Sequence, residues 1–132
     1  MTDREALYLY RLRQAEETLS EAEKMLQEDF SSRSVINRAY YAMFYAALAL
    51  FLKTDINIKT SKHIGIISIF DKEFVKQGNI DKYYSKILHD AFDDRQEADY
   101  RELAEMPVEK SAEHVQHAKE FLVAIKDFKL SN

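Results

Sequence analysis

Tyr8, Leu12, Ala15, Leu19, Ala22 and Leu26 recur at alternating spacings of four and three residues. That spacing puts them on one stripe of a long first helix, with charges filling the other face. Ser31 or Ser32 is placed to cap a second helix running to about Thr54, whose centre is apolar on every side and is therefore expected in the middle of the fold. Its alanines at 39, 42, 46 and 49 let neighbours approach closely, while Tyr40, Tyr41, Phe44 and Tyr45 supply bulk.

After a loop at residues 55–59, the pattern predicts a third helix from Thr60 that carries Ile64, Ile67, Phe70 and Phe74 inward and stops at Gly78. A fourth helix starts at Asp81 and repeats Tyr84, Leu88 and Ala91, with Ile87 and Phe92 broadening the face. Pro107 suits the first turn of a fifth, with Ala112, Val115, Leu122 and Ile125 as its buried stripe. The expected fold is all-α: an up-and-down helical bundle of about five helices around a four-helix core, forming one domain over residues 1–132.

Composition agrees, with 46% hydrophobic and 32% charged residues, two glycines and one proline. The absence of cysteine excludes disulfides and thiolate chemistry and suits a reducing cytoplasm, the expected location. A net charge of −4 argues against a general electrostatic nucleic-acid binder but leaves room for a local basic cleft. The opening stretch MTDREALYLYRLR lacks the apolar region and cleavage site of a secretory signal. The longest apolar run, residues 39–52, is too short to span a bilayer, which needs roughly twenty residues, and no membrane association is expected.

One stretch resists a purely structural account. FDDRQEADY, residues 92–100, places Asp93, Asp94, Glu97 and Asp99 near the negative end of a helix dipole, where carboxylates are unfavourable. Its cation, Arg95, continues the series of Ala91 and Phe92 and so projects from the core-facing stripe. A guanidinium there needs a partner. Two readings are open: an internal ion pair with Asp99 or a carboxylate of another helix, and an anion or phosphate clamp.

Three ordered blocks, SVINRAYYAMFYAALALF, KTSKHIGIISIFDKEFVKQG and KILHDAFDDRQEADY, resemble successive segments of the HEPN family over about residues 31–100. The resemblance implies a bundle that pairs into a homodimer with a polar cleft between the fourth helices of two copies. It also implies kinship with metal-independent ribonucleases and ribonuclease toxins, some partnered by a minimal nucleotidyltransferase. The family signature is an arginine followed, after four to six residues, by a histidine. Here the arginine is Arg95, and Tyr100, Arg101 and Glu102 stand where the histidine is expected, so the chain looks most like an R-x4-Y branch.

Internal RNA cleavage needs a proton taken from the 2′-hydroxyl and one given to the leaving oxygen, tasks suited to a group with pKa near 7. Tyrosine, near pKa 10, is a poor base, but it can donate a hydrogen bond or stack on a base. Arg95 and Tyr100 are the candidate catalytic pair, and Arg95, Asn37 and His63 the candidate nucleotide- or RNA-binding residues. For Tyr100 to turn toward the cleft, the fourth helix is expected to end near Asp99. Asn37 either faces the cleft or sits in a first helical turn facing water. His63, where the family often has a histidine, is otherwise an ordinary helix-start residue.

The remaining histidines point elsewhere. His89 reads as a surface group, and His114 with His117 as a solvated face rather than a zinc site, since spacing places no third strong ligand. No glutamate lies three residues before a histidine, and glycine occurs only at 65 and 78, which excludes the di-iron E-x-x-H pair and Gly-rich phosphate loops. No metal or cofactor is expected. The leading expectation is a toxin-like or defence-associated homodimer that binds a nucleotide or RNA-like anion. The alternatives are an active metal-independent endoribonuclease and a non-catalytic docking partner of a nucleotidyltransferase.

Overall fold

A computed structural model describes residues 1–100 and 106–129, without the side chain of Tyr100. Helix α1, Asp3–Gln27, opens with a reciprocal capping box in which Thr2 Oγ1 accepts from Glu5 N–H and the Glu5 carboxylate accepts from Thr2 N–H. Helix α2, Ser32–Lys53, is capped by Ser31, whose hydroxyl accepts from Ser34 N–H. The four-residue connection 28–31 joins two long helices packed along each other, which makes them antiparallel. Helices α4, Lys82–Tyr100, and α5, Val108–Asp127, pack against α2 from other sides. The all-α bundle of about five helices expected from the pattern is the one observed, with five α-helices among the described residues.

Helix α2 touches every other helix and is the axis of the core. Ala39, Ala42, Ala46 and Ala49 are fully buried, so the small side chains do bring neighbours close. By length and composition α2 is apolar enough to cross a membrane, beyond what its 14-residue apolar run suggests, yet two thirds of that window is buried inside the bundle. It is the central helix of a packed core.

Helix α3 spans His63–Phe70 and continues as a π turn, Asp71–Val75, before stopping at Gly78 with φ +79°. Its start lies three residues later than the pattern predicts, because Thr60 uses its hydroxyl to accept from Lys62 N–H in a local turn. That turn lies against the helix. A Cβ on Gly65 would stand 2.7 Å from Thr60 Cγ2, so the close approach requires glycine. Of the expected stripe, Ile67, Phe70 and Phe74 face the core, joined by Ile66, whereas Ile64, now in the first turn, is exposed.

The stripe on α5 also departs from the expected one near its start. Ala112 is exposed, whereas Ser111, His114, Val115, Ala118, Phe121, Leu122 and Ile125 are buried. His114, expected on a solvated face, is thus a core residue. Glycine marks only one of the three left-handed helix ends. Asp29 and Asp55, both at φ +59°, terminate α1 and α2, with Phe30 N–H bonding Met25 C=O and Ile56 N–H bonding Phe51 C=O.

Candidate functional site

Two tyrosines on α2 form the floor of the site. Tyr40 is fully buried and Tyr41 half-buried, because consecutive positions on a helix point about 100° apart. Arg95 of α4 lies over both, its guanidinium carbon 5.1 Å from the Tyr41 ring centre and 5.5 Å from that of Tyr40. Both distances are in the range of cation–π attraction. The Nε of Arg95 is 3.7 Å from Asp99 Oδ2, close enough for Coulomb attraction but too far for a hydrogen bond. Nε is buried and has no hydrogen-bond acceptor among the described residues. The internal pair with Asp99 therefore exists, yet it leaves a guanidinium donor unsatisfied.

His63, the first residue of α3, occupies another side of the same aromatic cluster. Its ring stacks on Phe44 at 4.2 Å and lies 5.7 Å from Tyr40 and 5.6 Å from Tyr41, centre to centre. Its Nδ1 is 2.8 Å from the Tyr40 hydroxyl. Burial pushes the Tyr40 pKa up, opposed by the charge of Arg95, so the hydroxyl keeps its proton. Burial, and then the positive charge of Arg95, hold the His63 pKa below its usual value. His63 is accordingly a neutral imidazole.

The amino-terminal half of α2 extends the site into a groove of about 480 Å³ lined by residues including Arg33, Asn37, Arg38 and Asp99. Asn37 Oδ1 accepts from Arg38 Nε at 3.2 Å and from a terminal guanidinium nitrogen at 3.1 Å. The Arg38 guanidinium carbon lies 5.3 Å from the Tyr41 ring centre, so Arg38 and Arg95 share Tyr41 as a platform. Arg33 Nε donates to Asp99 Oδ1 at 3.3 Å, linking the groove to Arg95.

Of the four residues singled out from sequence, Arg95 and His63 meet across the tyrosine pair. Asn37 joins them indirectly, through Arg38 and the groove. The side chain of Tyr100 lies outside the described residues, although its backbone is still helical, so α4 continues past Asp99. Tyr40, Tyr41, Arg33, Arg38 and Asp99 were not anticipated as parts of the site. A usable signal was present: Arg33, Asn37 and Tyr41 recur at i, i+4 and i+8, one polar line along an otherwise apolar helix.

The acidic stretch of α4 also acquires an explanation. Asp94 accepts from His114 Nε2–H at 2.7 Å and pairs with Lys110 at 3.5 Å, both from α5, while Asp99 serves Arg33 and Arg95. These carboxylates are set by tertiary partners, which outweigh the unfavourable helix dipole of a few tenths to about 1 kcal/mol. His89, half exposed, donates to Asp71 of the π turn at 2.6 Å, and Ser85 donates to the other oxygen of Asp71 at the same distance.

Fold and site together define an all-α bundle that displays arginines over a tyrosine pair beside a neutral, stacked histidine. The sequence model of the HEPN domain matches residues 8–128, and the chain belongs to that family. It is 36% identical over 126 residues to a "UPF0332 protein" of Thermotoga maritima, covering 96% of this chain and 93% of the relative. It is also 39% identical over 109 residues to "Putative toxin MJ0605" of Methanocaldococcus jannaschii, covering 83% and 78% respectively. A second protein of that archaeon, "Putative toxin MJ0142", is 36% identical over 106 residues, covering 80% and 69%.

Proposed function

We propose that this HEPN chain is a toxin-like protein that binds the phosphate of a nucleotide or RNA strand at Arg95. The observation that carries the reading is the buried, unsatisfied Nε of Arg95, beside a groove that also holds Arg33 and Arg38. A buried donor without an acceptor costs about 1 to 3 kcal/mol, and a phosphate oxygen would remove that penalty while adding charge-assisted bonds. Tyr41, partly exposed between two guanidinium groups, offers a face on which a base can stack. The local concentration of arginine answers the net charge of −4, since binding needs a basic cleft rather than a basic protein.

The chain acts as a homodimer in this reading, with the groove at the subunit boundary. The tyrosines at the start of α4, a mixed aromatic and polar surface in the sequence that a partner could cover, are not the support for it. Tyr83 donates to Glu120 at 2.8 Å and Tyr84 packs edge-on against Phe121, so both are engaged with α5 of the same chain. The support is the family resemblance and the open groove beside Asp99.

A ribonuclease is the second reading, favoured by one observation: His63 reaches the Arg95 site from a helix other than the one bearing the family motif. As a neutral imidazole it is suited to hydrogen-bonding a phosphate oxygen through its ring N–H or to taking the proton of a 2′-hydroxyl.

The test is titration of labelled RNA and of AMP into wild-type, Arg95→Ala and Tyr100→Phe proteins, with melting curves, light scattering and RNA integrity in EDTA followed on the same samples. Arg95→Ala should weaken binding by about 1.5 to 3 kcal/mol, and Tyr100→Phe by less. A mass near 31 kDa, twice the 15.5 kDa chain, is expected. Intact binding with a sharply lowered melting temperature would make Arg95 a structural ion-pair member. Cleavage in EDTA that is lost in His63→Gln would favour the ribonuclease.

A further inference from the structure

Resting on the anion-site reading above, we propose that Asp99 is a built-in competitor for the ligand. Its displacement turns Arg33 and Arg95 into a paired clamp for one phosphate group, and it thereby sets how strong an anion the site accepts. Asp99 points one carboxylate oxygen at each arginine, 3.3 Å from Arg33 Nε and 3.7 Å from Arg95 Nε. Two oxygens of one anion facing guanidinium groups from two helices is the arrangement that two oxygens of a phosphate would reproduce.

The present contacts are loose. Charge-assisted N–H···O bonds usually measure about 2.7 to 2.9 Å, so neither arginine is held at full strength. Asp99 is anchored through α4 and meets the two groups only at these longer distances, whereas a free phosphate can settle between them. Space is available, because Arg33 and Asp99 both line the groove beside Asn37 and Arg38. Arg33 is also free to move, its side chain being 57% exposed.

While Asp99 stays in place, the field at Arg95 is partly neutralised and only an anion that outcompetes a carboxylate enters. A phosphate monoester dianion meets that demand better than a diester monoanion. Removing the charge of Asp99 should therefore strengthen binding of both, the monoester at least as much as the diester, because the cost of displacing Asp99 is common to the two and its repulsion is greater for the dianion. A carboxylate that merely orders Arg95 would have the opposite signature, because its loss would disorder the guanidinium and weaken binding.

The experiment is calorimetric titration of AMP, a monoester, and of the dinucleoside phosphate UpA, a diester, into the wild-type chain and Asp99→Asn. Asparagine keeps the shape and an acceptor oxygen, and Asp99→Ser serves if the first variant fails to fold. AMP should bind about threefold to tenfold more tightly to the variant, UpA should gain by no more than AMP, and adding Arg33→Gln should cancel the gain. AMP affinity that is unchanged or weaker in a folded Asp99 variant overturns the proposal. If AMP then still requires Arg95, the anion-site reading survives without it. If neither probe binds any of these proteins, both fall.

Discussion

Asp94 and Asp99 lie on the same helix, a little over one turn apart, and each accepts cations from a different helix, yet they belong to different kinds of environment. Asp94 holds His114, which is 2% exposed, at 2.7 Å, and its own side chain is 16% exposed. Asp99 is 35% exposed and meets Arg33 and Arg95 at 3.3 and 3.7 Å. The first is a short, dry contact that fixes α4 to α5. The second is a wet, long contact that leaves the Arg95 Nε without an acceptor among the described residues. Geometry of the first kind is what stability requires. Geometry of the second kind is a poor stabiliser and a good starting point for a ligand.

The largest effect separating the two is expected at His114. His114→Ala removes the nearer of the two partners of a mostly buried carboxylate, leaving Lys110, and opens a cavity between α4 and α5, so unfolding free energy should fall by about 2 to 4 kcal/mol, measured by urea denaturation. A loss below about 1 kcal/mol would mean that Asp94 is solvated well enough without it, and the contrast with Asp99 would disappear.

A smaller effect, with a defined sign, is expected from pH. His63 is held below its usual pKa by burial and by Arg95. Between its folded value and the unfolded value near 6.5, the unfolded chain binds more protons, so this histidine lowers stability as pH falls below about 6.5. NMR titration should place the His63 midpoint below 6.5, and Arg95→Ala should raise it by removing a nearby positive charge. A midpoint that does not respond to Arg95→Ala would break the electrostatic link between the two sides of the tyrosine pair.

The smallest effects are expected on the solvated cations. Arg33→Gln and Lys110→Met, at side chains 57% and 43% exposed, should each change stability by no more than about 0.5 kcal/mol in thermal melts. They sharpen the comparison, because Arg33→Gln should alter ligand binding far more than it alters folding, whereas Lys110→Met should alter neither much.

Much of this architecture was legible beforehand because helical periodicity is a strong signal over long elements. The stripe on α1, the apolar α2 and the stop at Gly78 all followed from it. The errors have local causes. Thr60 spent its hydroxyl on a turn, which delayed α3 and moved Ile64 outward. Ser111 and His114 are polar residues inside a buried stripe, so a hydrophobicity pattern skips them and selects Ala112 instead. Two helix ends use aspartate at positive φ, where glycine is the usual marker.

The site was legible as single residues but not as a constellation. Arg95 stood out as a cation on an apolar stripe, and His63 only through the family resemblance. That they meet through Tyr40 and Tyr41 depends on how α3 and α4 pack against α2, information that no local spacing carries. Asp99 was visible only as a possible i+4 partner of Arg95, and its bond to Arg33 joins residues 66 positions apart.

The central claim is that the Nε–H of Arg95 is a donor waiting for an anion, and NMR of the arginine side chains observes that proton itself. On addition of AMP, the Arg95 Nε–H resonance, assigned by its loss in Arg95→Lys, should move downfield and exchange more slowly with water, while that of Arg4, paired with Asp55 away from the site, stays put. A saturating AMP titration that leaves the Arg95 signal unmoved would contradict the account and return Arg95 to the role of an internal ion-pair member.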